Sequence, residues 1–159
     1  MKHYFTFTLL ALVMVFFACN KPEQKTEEST TTSTQEKMPY VIEDSSKIVK
    51  YPSGLQMYVV EEGTGPVPMA TDTVAAMYHG TFLDGNVFDS SYMKNQAIPF
   101  PLNGVIAGWT EALTKVGVGS KIKIICPPNI AYGAAGRAGI PPNSTLVFDI
   151  MLVKVFGKE

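Results

Sequence analysis

Few side chains in this sequence are equipped for covalent or metal chemistry. Its 159 residues hold two cysteines, Cys19 and Cys126, and two histidines, His3 and His79. Neither set can build a disulfide scaffold, a thiolate zinc site or a histidine-rich metal centre. The remaining candidates are hydrogen-bonding groups set among aromatic rings. Asp89-Ser90-Ser91 gathers a carboxylate and two hydroxyls, which on its own is the composition of a turn or helix cap. Tyr132 precedes a glycine-rich run ending at Gly139, where its ring could pack or its hydroxyl could hold a ligand. Trp109 leads the series Trp109, Ala112, Leu113 and Val116, whose i, i+3, i+4, i+7 spacing fits the buried face of a short helix. Taken singly, each fits core packing as well as it fits a site.

The elements that must position these groups follow from composition and pattern. Apolar residues make up 46% and charged residues 17%, enough for a globular core and too apolar for a mostly disordered chain. The length suits one domain. A net charge of −1 gives no electrostatic case for nucleic-acid binding.

The chain opens Met1-Lys2-His3 and then runs from Tyr4 to Ala18 without a charge. That stretch is too short to cross roughly 30 Å of hydrocarbon as a helix, and reads as an export signal over residues 1–18. Cys19 directly after Ala18 resembles the bacterial lipoprotein signal, although Phe16 stands where leucine is usual. That resemblance implies a lipidated Cys19 as mature N-terminus and a lipid-anchored place in the bacterial cell envelope, periplasmic or outer-membrane associated. Residues 19–52 then read as a tether, because Thr26 to Thr34 holds seven serines and threonines and no apolar residue. Residues 38–51 are more mixed and suit a loose approach strand.

From residue 53 to 159 the pattern is β-rich and punctuated by glycine and proline. Strands are expected over 55–60, 71–83, 87–88, 121–126 and 145–156, with Asp84-Gly85 as a turn. The helix begins near Gly108 and is expected to close at Gly117. The architecture is therefore α+β, a curved antiparallel sheet of about five strands wrapped around one short helix. Cys126 is expected as a buried thiol near a strand end. Lys121 and Lys123 alternate with Ile122 and Ile124 and read as a solvated face. His79 should face away from Tyr78.

Five segments together carry a family resemblance. They are Tyr78-His79-Gly80, Asp84-Gly85-Asn86-Val87-Phe88-Asp89-Ser90-Ser91, Val105-Ile106-Ala107-Gly108-Trp109, Ala131-Tyr132-Gly133, and Pro141 to Asp149. In this order and spacing the stretch from Gly54 to Phe156 resembles the FKBP-type peptidyl-prolyl cis-trans isomerases. The resemblance implies a catalytic group of Asp89, Tyr132, Ile106 and Trp109. It implies a substrate-binding wall of Tyr78, Phe88, Phe100, Val105, Ile140 and Phe148. In the family, the backbone N–H at Ile106 and the hydroxyl at Tyr132 hold ligand carbonyls, and no cofactor or metal takes part. Partners implied are proline-containing unfolded or partly folded proteins, and macrolide inhibitors. The alternative is a proline-segment-binding chaperone or assembly module with little turnover. Two departures fall in the loop after Tyr132: it is one residue shorter than is common, and Arg137 stands where histidine is frequent.

Overall fold

The computed structural model describes residues 38–158. The expected signal segment, Cys19 and the serine- and threonine-rich stretch lie outside the described residues. Among the described residues the strands are β1 (Val49–Lys50), β2 (Gln56–Glu61), β3 (Thr73–Phe82), β4 (Val87–Ser90), β5 (Ile98–Pro101), β6 (Lys121–Cys126) and β7 (Leu146–Val155), with one α-helix, α1 (Ala107–Leu113), between β5 and β6. They form a seven-stranded antiparallel sheet in the order β1-β2-β6-β7-β3-β4, and β5 also pairs with β3.

Alternation decides which face is buried. In β6, Ile122, Ile124 and Cys126 turn inward, and β7 answers with Leu146, Phe148, Ile150 and Leu152. The sheet curves because its ladders shift register at Val59/Glu61, Ala75/Ala76 and Gly80/Thr81. A seven-residue helix is too short to be stable alone. α1 persists because it buries Gly108, Trp109, Ala112 and Leu113 against the concave face. It lies very close there: a Cβ on Gly108 would come within 2.5 Å of the Cys126 sulfur. Cys126 is fully buried at the end of β6, and burial pushes its thiol up to about 12.

β4 and β5 lie end to end along one edge of β3, with residues 79–81 facing β4 and residues 73–76 facing β5. The gap between them is spliced by Ser91. Its hydroxyl accepts the Tyr78 N–H at 2.8 Å and its own N–H donates to the Tyr78 carbonyl at 2.9 Å. This splice holds the following loop beside β3 and keeps Asp89 beside Tyr78.

The fold class read from the sequence is the observed one, with seven strands where about five were expected. β1 has only two residues, too few for a periodic signal. β5 carries Pro99 and Pro101, which argue against a strand, yet it sits at an edge with both prolines exposed and Ile98 and Phe100 turned inward. The helix ends at Leu113, capped by Thr114, whose hydroxyl donates to the Thr110 carbonyl at 2.8 Å. Gly117 therefore does not close it. Gly117 is instead a point of backbone contact, where a Cβ would lie 2.5 Å from the Gly65 carbonyl oxygen. Ahead of residue 53, β1 pairs with β2 and the Tyr40 ring is buried.

The outer face also differs from the sequence reading at one point. Lys123 is not solvated: it lies opposite Asp149 on β7 and forms an ion pair at 2.8 Å, with side chains 12% and 1% exposed. His79 does face away from Tyr78, and its Nδ1 lies 3.1 Å from the Ser90 hydroxyl. Lys121 pairs with the exposed Glu61 at 2.8 Å, a contact of little energetic weight.

Candidate active site

The concave face of the sheet and α1 enclose a cavity of about 720 Å³. That is the size range of small-ligand pockets. Its floor is Trp109, 4% exposed, held edge-on by three rings: Tyr78 at 5.4 Å, Phe100 at 5.3 Å and Phe148 at 5.4 Å between centroids. Such edge-to-face contacts fix ring orientation, because each ring's positive edge meets a negative face. The indole N–H has no hydrogen-bond acceptor among the described residues. Trp109 is therefore placed by packing alone.

Phe88 extends the bowl, packing against Phe148 at 5.5 Å and Phe82 at 5.2 Å. It reaches across β3 because Gly80 has no side chain; a Cβ there would come within 2.6 Å of the Phe88 ring. A glycine inside a strand often marks such a close approach, and Gly80 is a shaping residue that the sequence reading did not single out.

The polar groups are few. Tyr78 donates its hydroxyl to the Asp89 carboxylate at 2.5 Å. Burial first, and then the bonded Asp89, hold that phenol protonated far above its usual range. Tyr132 lies at the rim, where its oxygen accepts from Arg137 Nη1 at 2.9 Å. Ile106 caps the N-terminal end of α1 and borders the cavity with Val105. Ile140, buried, closes the far side.

All ten residues that the sequence placed in a pocket line this one cavity. They come from β3, β4, β5, α1, β7 and the two loops that flank α1 and precede β7, so only the folded sheet and helix assemble them. Arg137 lines it as well. The sequence marked Arg137 as a departure without giving it a place in the site, since nothing in a loop's residue order shows where a long side chain folds back.

A model of the FKBP-type peptidyl-prolyl cis-trans isomerases matches residues 65–153. The chain belongs to this family. The FKBP-type isomerase FkpA of Escherichia coli (strain K12) is 52% identical over 103 residues, covering 65% of this chain and 38% of that protein. Its crystal structure superposes with a TM-score of 0.67 over 69% of this chain and 51% of that one, at 50% identity. A peptidyl-prolyl cis-trans isomerase from Pseudomonas syringae pv. tomato superposes with a TM-score of 0.65 at 38% identity, over 69% of this chain and 80% of that one. An outer membrane protein MIP of Legionella longbeachae is 44% identical over 109 residues, covering 68% of this chain and 47% of that protein. The chain thus spans half or less of the length of these curated relatives, and what they share with it is the FKBP domain.

Proposed function

We propose that this chain is a peptidyl-prolyl cis-trans isomerase whose cavity desolvates and twists an Xaa–Pro amide. The observation that carries the reading is the bowl itself: three rings set edge-on to Trp109, with Asp89, Tyr132 and Arg137 as the polar side chains beside them. Resonance gives the C–N bond partial double-bond character and a barrier of about 18–20 kcal/mol. In the twisted state that resonance is lost, and the carbonyl carries less charge than in the planar amide. Water stabilises the planar form more, so a dry aromatic bowl lowers the barrier relative to solution.

Trp109, Tyr78, Phe100 and Phe148 grip the proline ring by shape. Phe88, Val105 and Ile140 cover its flanks. The Ile106 N–H and the Tyr132 hydroxyl hold the neighbouring carbonyls, and Asp89 fixes Tyr78 while presenting its carboxylate to the rotating amide. None of these roles moves a proton.

The test is cis-to-trans relaxation of a short Leu-Pro peptide. The parent should accelerate it, and Asp89→Val and Tyr132→Phe should each lower kcat/KM by about 5- to 150-fold, equivalent to losing one hydrogen bond of ~1–3 kcal/mol. Their unfolding midpoints should move little. A folded Asp89→Val protein with full activity removes that residue from the site, and peptide binding without acceleration shows a binding module.

We further infer that Cys19 is lipidated and holds the domain in the cell envelope, where folding proteins expose prolines. The charge-free run ending Phe17-Ala18-Cys19 supports this, as does the similarity to the outer membrane protein MIP of Legionella longbeachae. Two or more acyl chains give stable anchoring, since each buried methylene contributes about 0.8 kcal/mol. Parent protein should partition with membranes and incorporate labelled fatty acid, and Cys19→Ser should do neither. Equal membrane partitioning of the two, with no acyl label on the parent, contradicts the anchor.

A further inference from the structure

We propose that Arg137 makes this site favour an acidic residue immediately before the proline over its neutral isostere. The inference rests on the isomerase reading above and adds the substrate class to it. Among the residues lining the cavity only Asp89 and Arg137 carry charge. Asp89 faces the rotating amide and repels an acid there, so a preference for acid has to come from Arg137. Asp89 is engaged by the Tyr78 hydroxyl at 2.5 Å. Among the described residues Arg137 has no carboxylate within ion-pair distance, and its side chain hydrogen-bonds only the neutral oxygen of Tyr132.

The guanidinium is held at the rim rather than waving in solvent. Its carbon lies 5.0 Å from the Tyr132 ring centroid and Nη1 bonds the Tyr132 oxygen at 2.9 Å. Behind it, the backbone closes a tight hairpin. Arg137 N–H donates to the Ile140 carbonyl at 3.0 Å, and Ile140 N–H returns to the Arg137 carbonyl at 2.9 Å. Gly136 and Gly139 make this turn at φ +64 and +80, and a Cβ on Gly136 would overlap the Ile140 carbonyl. Arg137 is thus registered to Ile140, itself a buried wall of the cavity.

Bonding to Arg137 uses an acceptor position of the Tyr132 oxygen and leaves its O–H to donate. On the isomerase reading, we take the carbonyl it meets to be that of the rotating amide, which belongs to the residue before proline. A carboxylate on that residue comes within reach of four further guanidinium N–H groups, which pair well with a planar carboxylate. The whole-molecule field works the other way, since the net charge is −1. A preference for acid would therefore be local to Arg137.

The experiment uses the full chain in detergent with peptides Ala-Xaa-Pro-Phe, where Xaa is Glu, Gln, Lys or Leu. Both kcat/KM and Kd are measured at low salt and at 1 M salt. The Glu peptide should exceed its isostere Gln by about two- to five-fold at low salt, the scale of an exposed ion pair, with Lys below Gln. The differences should shrink at 1 M salt. Arg137→Gln should bring the Glu-to-Gln ratio to one or below, and Arg137→Lys should keep it above one. A ratio at or below one in the parent, or one that Arg137→Gln leaves unchanged, overturns the proposal. Turnover of the Leu peptide reports the isomerase reading separately. If that turnover is absent, the Kd ratio still decides the role of Arg137.

Discussion

Trp109→Ala should lower stability by about 3–5 kcal/mol and remove most of the isomerase activity that remains measurable. Truncating a large buried aromatic loses its transfer energy and leaves a cavity that its neighbours fill only partly. Here the neighbours are rings pinned edge-on to the indole, Tyr78, Phe100 and Phe148, each contact adding about 0.5–1.5 kcal/mol beyond area burial. No lost hydrogen bond enters the sum, because the indole N–H has no acceptor among the described residues. A domain of this kind has a margin of about 5–15 kcal/mol, so the variant should still fold at low temperature. There kcat/KM can be compared with that of Trp109→Phe, which keeps a ring on the floor and should lose less on both counts. Urea unfolding reads the first quantity and peptide relaxation the second. A stability change under about 1 kcal/mol would show that Trp109 does not support the bowl.

Lys123→Met should destabilise the domain by a similar amount, about 3–5 kcal/mol near pH 7, for a reason unconnected with the cavity. Asp149 is 1% exposed, and removing Lys123 leaves a buried carboxylate with too few partners. Burial already raises the Asp149 pKa, while the Lys123 ammonium, a Tyr40 backbone N–H and the His79 ring oppose that rise. Without Lys123 it must rise further. A carboxyl whose folded pKa lies above its unfolded value stabilises the fold below the unfolded pKa, and that benefit is lost as pH climbs through the folded one. The penalty of Lys123→Met should therefore be largest at neutral pH and shrink as pH falls toward 4. Combining Lys123→Met with Asp149→Leu should recover most of the loss, since two matched apolar groups need no partners. Urea midpoints across pH for the two variants measure both effects, and a pH-independent loss would contradict the buried pair.

This pair also shows where reading the sequence stops. Alternation in 121–126 tells which residues share a face, and it placed Ile122, Ile124 and Cys126 inward as observed. It says nothing about what covers the other face. Lys123 meets Asp149 only because β6 pairs with β7 in one register, and Asp149 also accepts from the Tyr40 backbone N–H, over a hundred residues away in sequence. Gly117 was misread for a related reason, because a glycine kept for contact with Gly65 looks the same in sequence as one kept for a helix end. The cavity was more legible. Its rings and its hydroxyl sit inside short segments whose joint order identifies the family, so ten residues could be named before any fold was seen. Arg137 and Gly80 were not among them: one acts through a side chain folded back onto Tyr132, the other through an absent side chain beside Phe88.

The central claim is that the cavity speeds bond rotation by drying and twisting the amide, with no proton transferred. General acid–base catalysis would impose a pH profile on kcat/KM, because the essential group changes protonation near the working pH. Histidine is the side chain whose charge ordinarily changes between pH 6 and 8. The one described histidine, His79, is bonded to Ser90 on the sheet's outer face, across β3 from the bowl. The decisive measurement is kcat/KM for a Leu-Pro peptide from pH 6 to 8, in water and in deuterium oxide, for the parent and for His79→Gln. The account predicts flat profiles, a solvent isotope ratio near one, and no difference between the two proteins. An inflection in that range with an isotope ratio of about two or more would contradict it.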